Sequence, residues 1–185
     1  RSTGKTWKDR KGLAWTDMGS KEVWDYNIAV AKGAYQIGFD ELNFDYIRFP
    51  SDGDMTDIMY PSLEGKKIDK PEELRAFFHY LSNNLKKIPI SADLFGMTTT
   101  NTDDLNIGQV LENAIPYFDY IDPMVYPSHY PKGFHDYKNP AEVPYELIKF
   151  VLGEGVNRML QASSSPDKLR PWLQDFDLGA VYTAA

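Results

Sequence analysis

The feature that most constrains this chain is a regular exchange between two hydrophobic periods. From Ser20, SKEVWDYNIAVAKGAYQIG has helical spacing, with Ser20 as N-cap, Glu22 in the first turn and Gly38 as a left-handed stop. Val23, Trp24, Asn27, Ile28, Ala31, Ala34 and Tyr35 fall on one stripe of helical period. In FDELNFDYIRFP the period drops to two: Leu42, Phe44 and Tyr46 alternate with Asn43, Asp45 and Ile47 until Pro50 ends the strand. A loop rich in Asp, Gly and Pro leads to a second helix, PEELRAFFHYLSNNLKK, which opens on Pro71 and acidic residues. IPISADLFG is then a strand, Asn106 to Ile115 a helix, DYIDPMVYP a strand, PAEVPYELIKFVLGEG a helix and LRPWLQDF a fourth strand.

Strands alternating with crossover helices pair in parallel with right-handed connections, so the fold class is α/β with a parallel sheet. An open doubly wound sheet has helices on both faces and strands that read as near-continuous apolar runs. Here each strand has one face broken by a polar residue near its C-terminal end (Asp45, Asp93, Tyr126 and Gln174), and no glycine-rich phosphate loop follows any of them. Both features favour a TIM-type (β/α) barrel. A complete barrel has eight strands and typically about 250 residues. Four strands in 185 residues therefore predict a middle-to-late part of one barrel domain over residues 1–185, partnered by the missing remainder of the barrel. The alternative is a small self-contained α/β domain.

Composition narrows the function. The net charge of −7 repels a phosphate backbone, so nucleic acid is not an expected partner. With no cysteine, disulfides, thiolate metal sites and cysteine nucleophiles are all excluded. No run approaches the roughly 18 apolar residues of a membrane segment, and the opening residues carry no signal-peptide core. SDGDMTD starts like a calcium loop, but Asp57 stands where the turn glycine belongs and Leu63 where the closing glutamate belongs. Three scattered histidines and the lack of GxSxG argue against a zinc hydrolase and an α/β-hydrolase elbow. No cofactor and no metal are expected.

Four segments, GFDELNFDYIRFP, ISADLFG, YIDPMVYPSHYPKGF and LRPWLQDF, occur in the order seen in a bacterial glycoside-hydrolase-type domain family first catalogued as a domain of unknown function, and the chain resembles that family over nearly its whole length. The resemblance implies a TIM barrel related to polysaccharide-cleaving barrels, with these strands as the fourth to seventh. It also implies a polysaccharide or oligosaccharide substrate and a secreted or cell-surface location.

The residues themselves point the same way, because barrel active sites lie at the C-terminal ends of the strands. Asp45 shares a strand face with Asn43, and Asp93 occupies the corresponding place on the next strand. Glycoside hydrolysis needs two such carboxyl groups, one acid and one nucleophile or base. Asp45 and Asp93 are the candidate catalytic pair, with the two roles unassigned. Asp45 could instead simply pair with Arg48, and Asp93 could serve the loop that follows it. Asn43, Tyr126, His129, Trp172 and Gln174 are candidate substrate contacts, by hydrogen bonds to hydroxyls and by stacking. The alternative for Trp172 is a core plug, and for His129 an idle loop position; His79 and His135 read as structural or solvated. A non-catalytic carbohydrate-binding or cell-wall-associated barrel is the alternative function.

Overall fold

The computed structural model describes residues 4–183. Four strands, β1 (Leu42–Phe44), β2 (Ile90–Phe95), β3 (Tyr120–Val125) and β4 (Trp172–Leu173), form one parallel sheet in sequential order. Helices α1 (Lys21–Gln36), α2 (Lys70–Asn84), α3 (Leu111–Ala114) and α4 (Pro144–Gln161) precede or link the strands.

Local chemistry sets the helix ends. The Ser20 hydroxyl accepts from Val23 N at 3.4 Å, and Gly38 turns left-handed (φ +111°) just past α1. The Asp69 carboxylate accepts from Glu72 N, with Pro71, Glu72 and Glu73 in the first turn of α2.

All four helices cover the same side of the sheet. Leu42, Ile90, Ala92, Leu94 and Ile121 pack with Trp24 and Ile28 of α1, Leu74, Phe78 and Leu81 of α2, Leu111 of α3 and Met159 of α4. Val125 packs with Leu147 and Val151 of α4. On the other side the alternate residues, Asn43, Ser91, Asp93 and Asp122, hydrogen-bond one another. One apolar, helix-covered face and one polar inner face make this a half-barrel, the arrangement of a partial (β/α) barrel and not of a doubly wound sheet.

Three elements are shorter than the sequence predicts. The strand expected to run to Pro50 ends at Phe44, because Asp45 Oδ1 accepts from Tyr46 N and Tyr46 turns left-handed (φ +55°). The helix expected over Asn106–Ile115 is confined to Leu111–Ala114. Before it, Asp103 Oδ1 accepts from Leu105 N, while Asp104 uses one oxygen for Asn106 N and the other for Gly108 N; Leu105, Asn106 and Gly108 all have positive φ. Short acidic side chains that capture nearby backbone donors compete with helix formation. The strand expected along LRPWLQDF reduces to Trp172–Leu173, with a bridge from Leu169 to Ile121. No residue after Leu173 is in a helix among those described.

Two irregular segments wall the strand ends. Residues 45–69 form their own small core of Phe49, Tyr60 and Leu63. They are tied to the N-terminal segment by Asp17, which accepts from Ser62 N and Oγ, and by the Trp7 indole, which donates to Asp54 O.

Candidate active site

Register stacks the inner face in layers. Asn43 is opposite Ser91, and Asp93 is opposite Asp122. The Asn43 amide nitrogen is 3.0 Å from each of Ser91 Oγ, Asp93 Oδ1 and Asp122 Oδ2. Two oxygens each 3.0 Å from one nitrogen are less than about 6 Å apart, so Asp93 and Asp122 face each other closely. Arg170 donates from Nε to Asp122 Oδ1 at 3.4 Å, forms a two-pronged pair with Glu41, and lies 3.7 Å from the Tyr120 ring centre.

Above this floor Asp93 is 7% exposed, and its Oδ1 also accepts the Trp172 indole N–H at 2.9 Å. Burial holds its carboxyl above the ordinary value of 3.8; the bonds from Asn43 and Trp172 oppose that rise, and the charges of Asp45 and Asp122 reinforce it. Asp122 is raised as well, by burial first, against the pull of Arg170. Glu41 moves the other way, lowered chiefly by its bond to Arg170.

Asp45 lies one residue beyond β1, where register would set it level with Asp93. It is exposed, and its Oδ1 accepts from Tyr46 N. Tyr46 then turns left-handed (φ +55°). No ion pair joins Asp45 to Arg48 among the described residues; the two sense each other only through longer-range charge. Asp45 and Asp93 line one cavity of about 430 Å³, shared with Tyr46, Arg48, Phe95, Gly96, Met97, Gln109, Met124, His129 and Tyr130. Gly96 is required there, since a Cβ would sit 2.5 Å from Met124 O and 2.6 Å from the Tyr130 hydroxyl. Gln109 braces the wall, accepting from Phe95 N and donating to Ile47 O.

The structure brings most of the sequence-predicted residues together. Asn43 holds the floor, and Trp172 is half exposed at the rim with its N–H committed to Asp93. Tyr126 lies edge-on to His129 at 5.2 Å, and its phenol is raised by burial and by the charges of Asp93 and Asp45. Gln174 holds neighbouring backbone in place, its carbonyl accepting from Ser128 N and Oγ and its amide donating to Phe176 O and Leu178 O. His79 bonds Asn83 on α2, and His135 stacks on Phe150 at 3.7 Å. Sequence reasoning did not single out Asp122, Glu41, Ser91 or Arg170 as a network, although strict alternation from Asp93 and Trp172 carries the signal. It also missed Arg48 as a wall of the cavity. No cluster of three or more His, Cys, Asp or Glu residues able to hold a metal occurs among the described residues, and none of their helices is long and apolar enough to cross a membrane.

A family model described as "Putative glycosyl hydrolase domain" matches residues 1–185. No curated protein matches the chain. A solved structure of a hypothetical protein from Ruminiclostridium thermocellum ATCC 27405 is 33% identical over a match covering 49% of this chain and 44% of that chain, with a TM-score of 0.38. The match thus spans less than half of that solved chain.

Proposed function

The chain belongs to the glycosyl hydrolase domain family whose model spans it end to end, and from that premise we propose that it cleaves glycosidic bonds in a polysaccharide, with Asp93 as general acid and Asp45 as nucleophile. One observation carries the assignment of roles: of two carboxyl groups in one cavity, Asp93 is buried and held above its ordinary value, whereas Asp45 is exposed at the mouth. A raised carboxyl keeps its proton for the leaving oxygen, and an exposed carboxylate stays free to attack.

In the first step an Asp45 oxygen forms a bond to the anomeric carbon while the glycosidic C–O bond breaks. The Asp93 proton passes to the departing oxygen. In the second step water attacks the anomeric carbon and gives its proton to Asp93, and Asp45 leaves as carboxylate. Adjacent strands, about 4.8 Å apart, favour the closer carboxyl spacing of about 5 to 5.5 Å, and hence retention of configuration. Asn43 is a positioning residue that donates to Asp93 and to Asp122 alike, and the negative charge of Asp122 adds to the upward push on the Asp93 carboxyl. Trp172 offers a stacking face for a sugar ring. The four strands serve as the fourth to seventh of a full barrel, in a protein acting outside the cell or at its surface.

The test is release of reducing ends from a panel of cell-wall and matrix polysaccharides by the full-length protein. Wild type is expected to release sugar, and Asp45→Asn and Asp93→Asn to lose about 100-fold or more in turnover with the fold retained. Binding of oligosaccharide with no release by wild type would instead mark a carbohydrate-binding barrel.

A further inference from the structure

Arg48 is the only lysine or arginine among the described residues lining the cavity, and it is 9% exposed. Its guanidinium carbon lies 4.7 Å from the Trp15 ring centre, 4.9 Å from Phe95 and 5.3 Å from Tyr46. Nη1 donates to Phe49 O at 3.0 Å and weakly to Ser51 Oγ at 3.4 Å. Nε and Nη2 have no acceptor among the described residues, and no carboxylate approaches within 4.0 Å. Asp9, Asp45 and Asp52 reach it only as distant charges, and burial pulls the guanidinium below its ordinary value.

A buried charge is normally paired, because desolvating it costs several kcal/mol that only a close counter-charge and full hydrogen bonding offset. The other buried arginine, Arg158, meets that rule with a two-pronged bond to Glu112 and two backbone carbonyls. Arg48 does not meet it, although it faces the same cavity as Asp45 and Asp93. Its unused N–H groups form a planar fork, the geometry that receives a carboxylate on two parallel hydrogen bonds. Three aromatic rings flank it and lower the local polarity, which would strengthen such a contact, while the unpartnered N–H groups stay open to a ligand.

We infer that the cavity takes an acidic sugar, with the carboxylate of a uronate residue docked on the Arg48 guanidinium. This rests on the glycan-cleaving reading and names its substrate class. Burial raises the Asp93 carboxyl, which lessens the negative charge such an anion would meet there, and Asp45 is the other acidic group lining the cavity with Arg48.

The experiment is calorimetric titration of the full-length protein with length-matched oligomers: oligogalacturonate and oligoglucuronate against their neutral galactose and glucose counterparts, and against the methyl esters of the same uronates. At least one uronate is expected to bind about tenfold or more tightly than both its neutral counterpart and its ester. In Arg48→Gln that ratio should collapse toward one, with Arg48→Lys in between because it keeps the charge and loses the fork. The ester comparison uses wild-type protein alone, so it decides the matter even if the variants fold poorly. If neutral and esterified oligomers bind as well as the uronates, the acidic-sugar inference is overturned and the glycan reading stands. If no oligomer of any kind is bound or cleaved, both fall.

Discussion

Arg158→Met probes how the cavity wall is held. Arg158 lies on α4, is 8% exposed, and donates to Thr98 O, Asn101 O and both oxygens of Glu112. These carbonyls belong to the segment that continues from Gly96 and Met97 at the cavity edge. Methionine fills similar space but returns none of the bonds. The Glu112 side chain is 44% exposed and can rehydrate, so its loss of partner costs about 1 kcal/mol or less. Thr98 is 1% exposed, and an orphaned buried carbonyl costs about 1 to 3 kcal/mol. Asn101 is half-buried and its carbonyl has easier access to water. The total is about 2 to 4 kcal/mol, which for a chain of this length lowers the melting temperature by roughly 5 to 15 °C. Glu112→Gln should cost less, since the two carbonyls still accept from Arg158. Burial raises the Glu112 carboxyl, but its bonds to Arg158 outweigh that and hold it below the ordinary 4.5. The pair's contribution is therefore present above about pH 4.5 and is lost as pH falls through the lower folded value. Differential scanning calorimetry of both variants between pH 3 and 8 checks these statements. A melting temperature for Arg158→Met within about 2 °C of wild type at pH 7 would refute the reasoning.

Three further outcomes follow from the same geometry. In Asp93→Asn both incoming bonds can be kept, because they arrive at one oxygen. Since the folded protein raises Asp93, its favourable contribution is full below the unfolded value of about 3.9 and fades as pH rises through the folded value, so thermal melts should show the variant gaining on wild type from pH 3 to pH 7; a relative loss would contradict the burial argument. Trp172→Phe removes a bond that lowers Asp93, so the alkaline limb of the pH–kcat profile should move to higher pH, while Trp172→Ala should weaken oligosaccharide binding by about 1 kcal/mol or more and leave the melt nearly unchanged; a cost of about 3 to 5 kcal/mol would mean a buried plug instead. Because β1 and β4 each pair on one side among the described residues, with Leu173, Phe176 and Phe39 about half exposed, the 185-residue chain by itself should self-associate; light scattering showing a monodisperse monomer would favour a self-contained domain.

What the sequence reveals depends on how local the determinant is. Ser20, Gly38, Asp69 and Pro71 act within one turn of the helices they bound, so α1 and α2 are legible from their own residues. The alternation around Asn43 and Asp93 is a property of single strands and correctly puts both on the inner face. The reading fails at Asn106, where Asp103 and Asp104 redirect backbone donors that a period count treats as helical. It also stops short at the floor of the site. Asp122 and Arg170 matter through register with Asp93 and through Glu41, 129 positions away from Arg170, which no local pattern encodes. Arg48 is similar: its proximity in sequence to Asp45 suggests an ion pair, but the left-handed turn at Tyr46 separates them and brings the guanidinium against Trp15 and Phe95.

The most direct test of the two roles uses aryl glycosides of whichever sugar the protein releases, one with a good leaving group such as dinitrophenolate and one with a poor one. A good leaving group needs no proton, so loss of the acid should matter little for it. Asp93→Asn is predicted to stay within about tenfold of wild type on the activated glycoside and to fall about 100-fold or more on the poor one, whereas Asp45→Asn should fall on both. The reverse pattern, with Asp45→Asn spared on the activated glycoside, would contradict the assignment of Asp93 as acid and Asp45 as nucleophile.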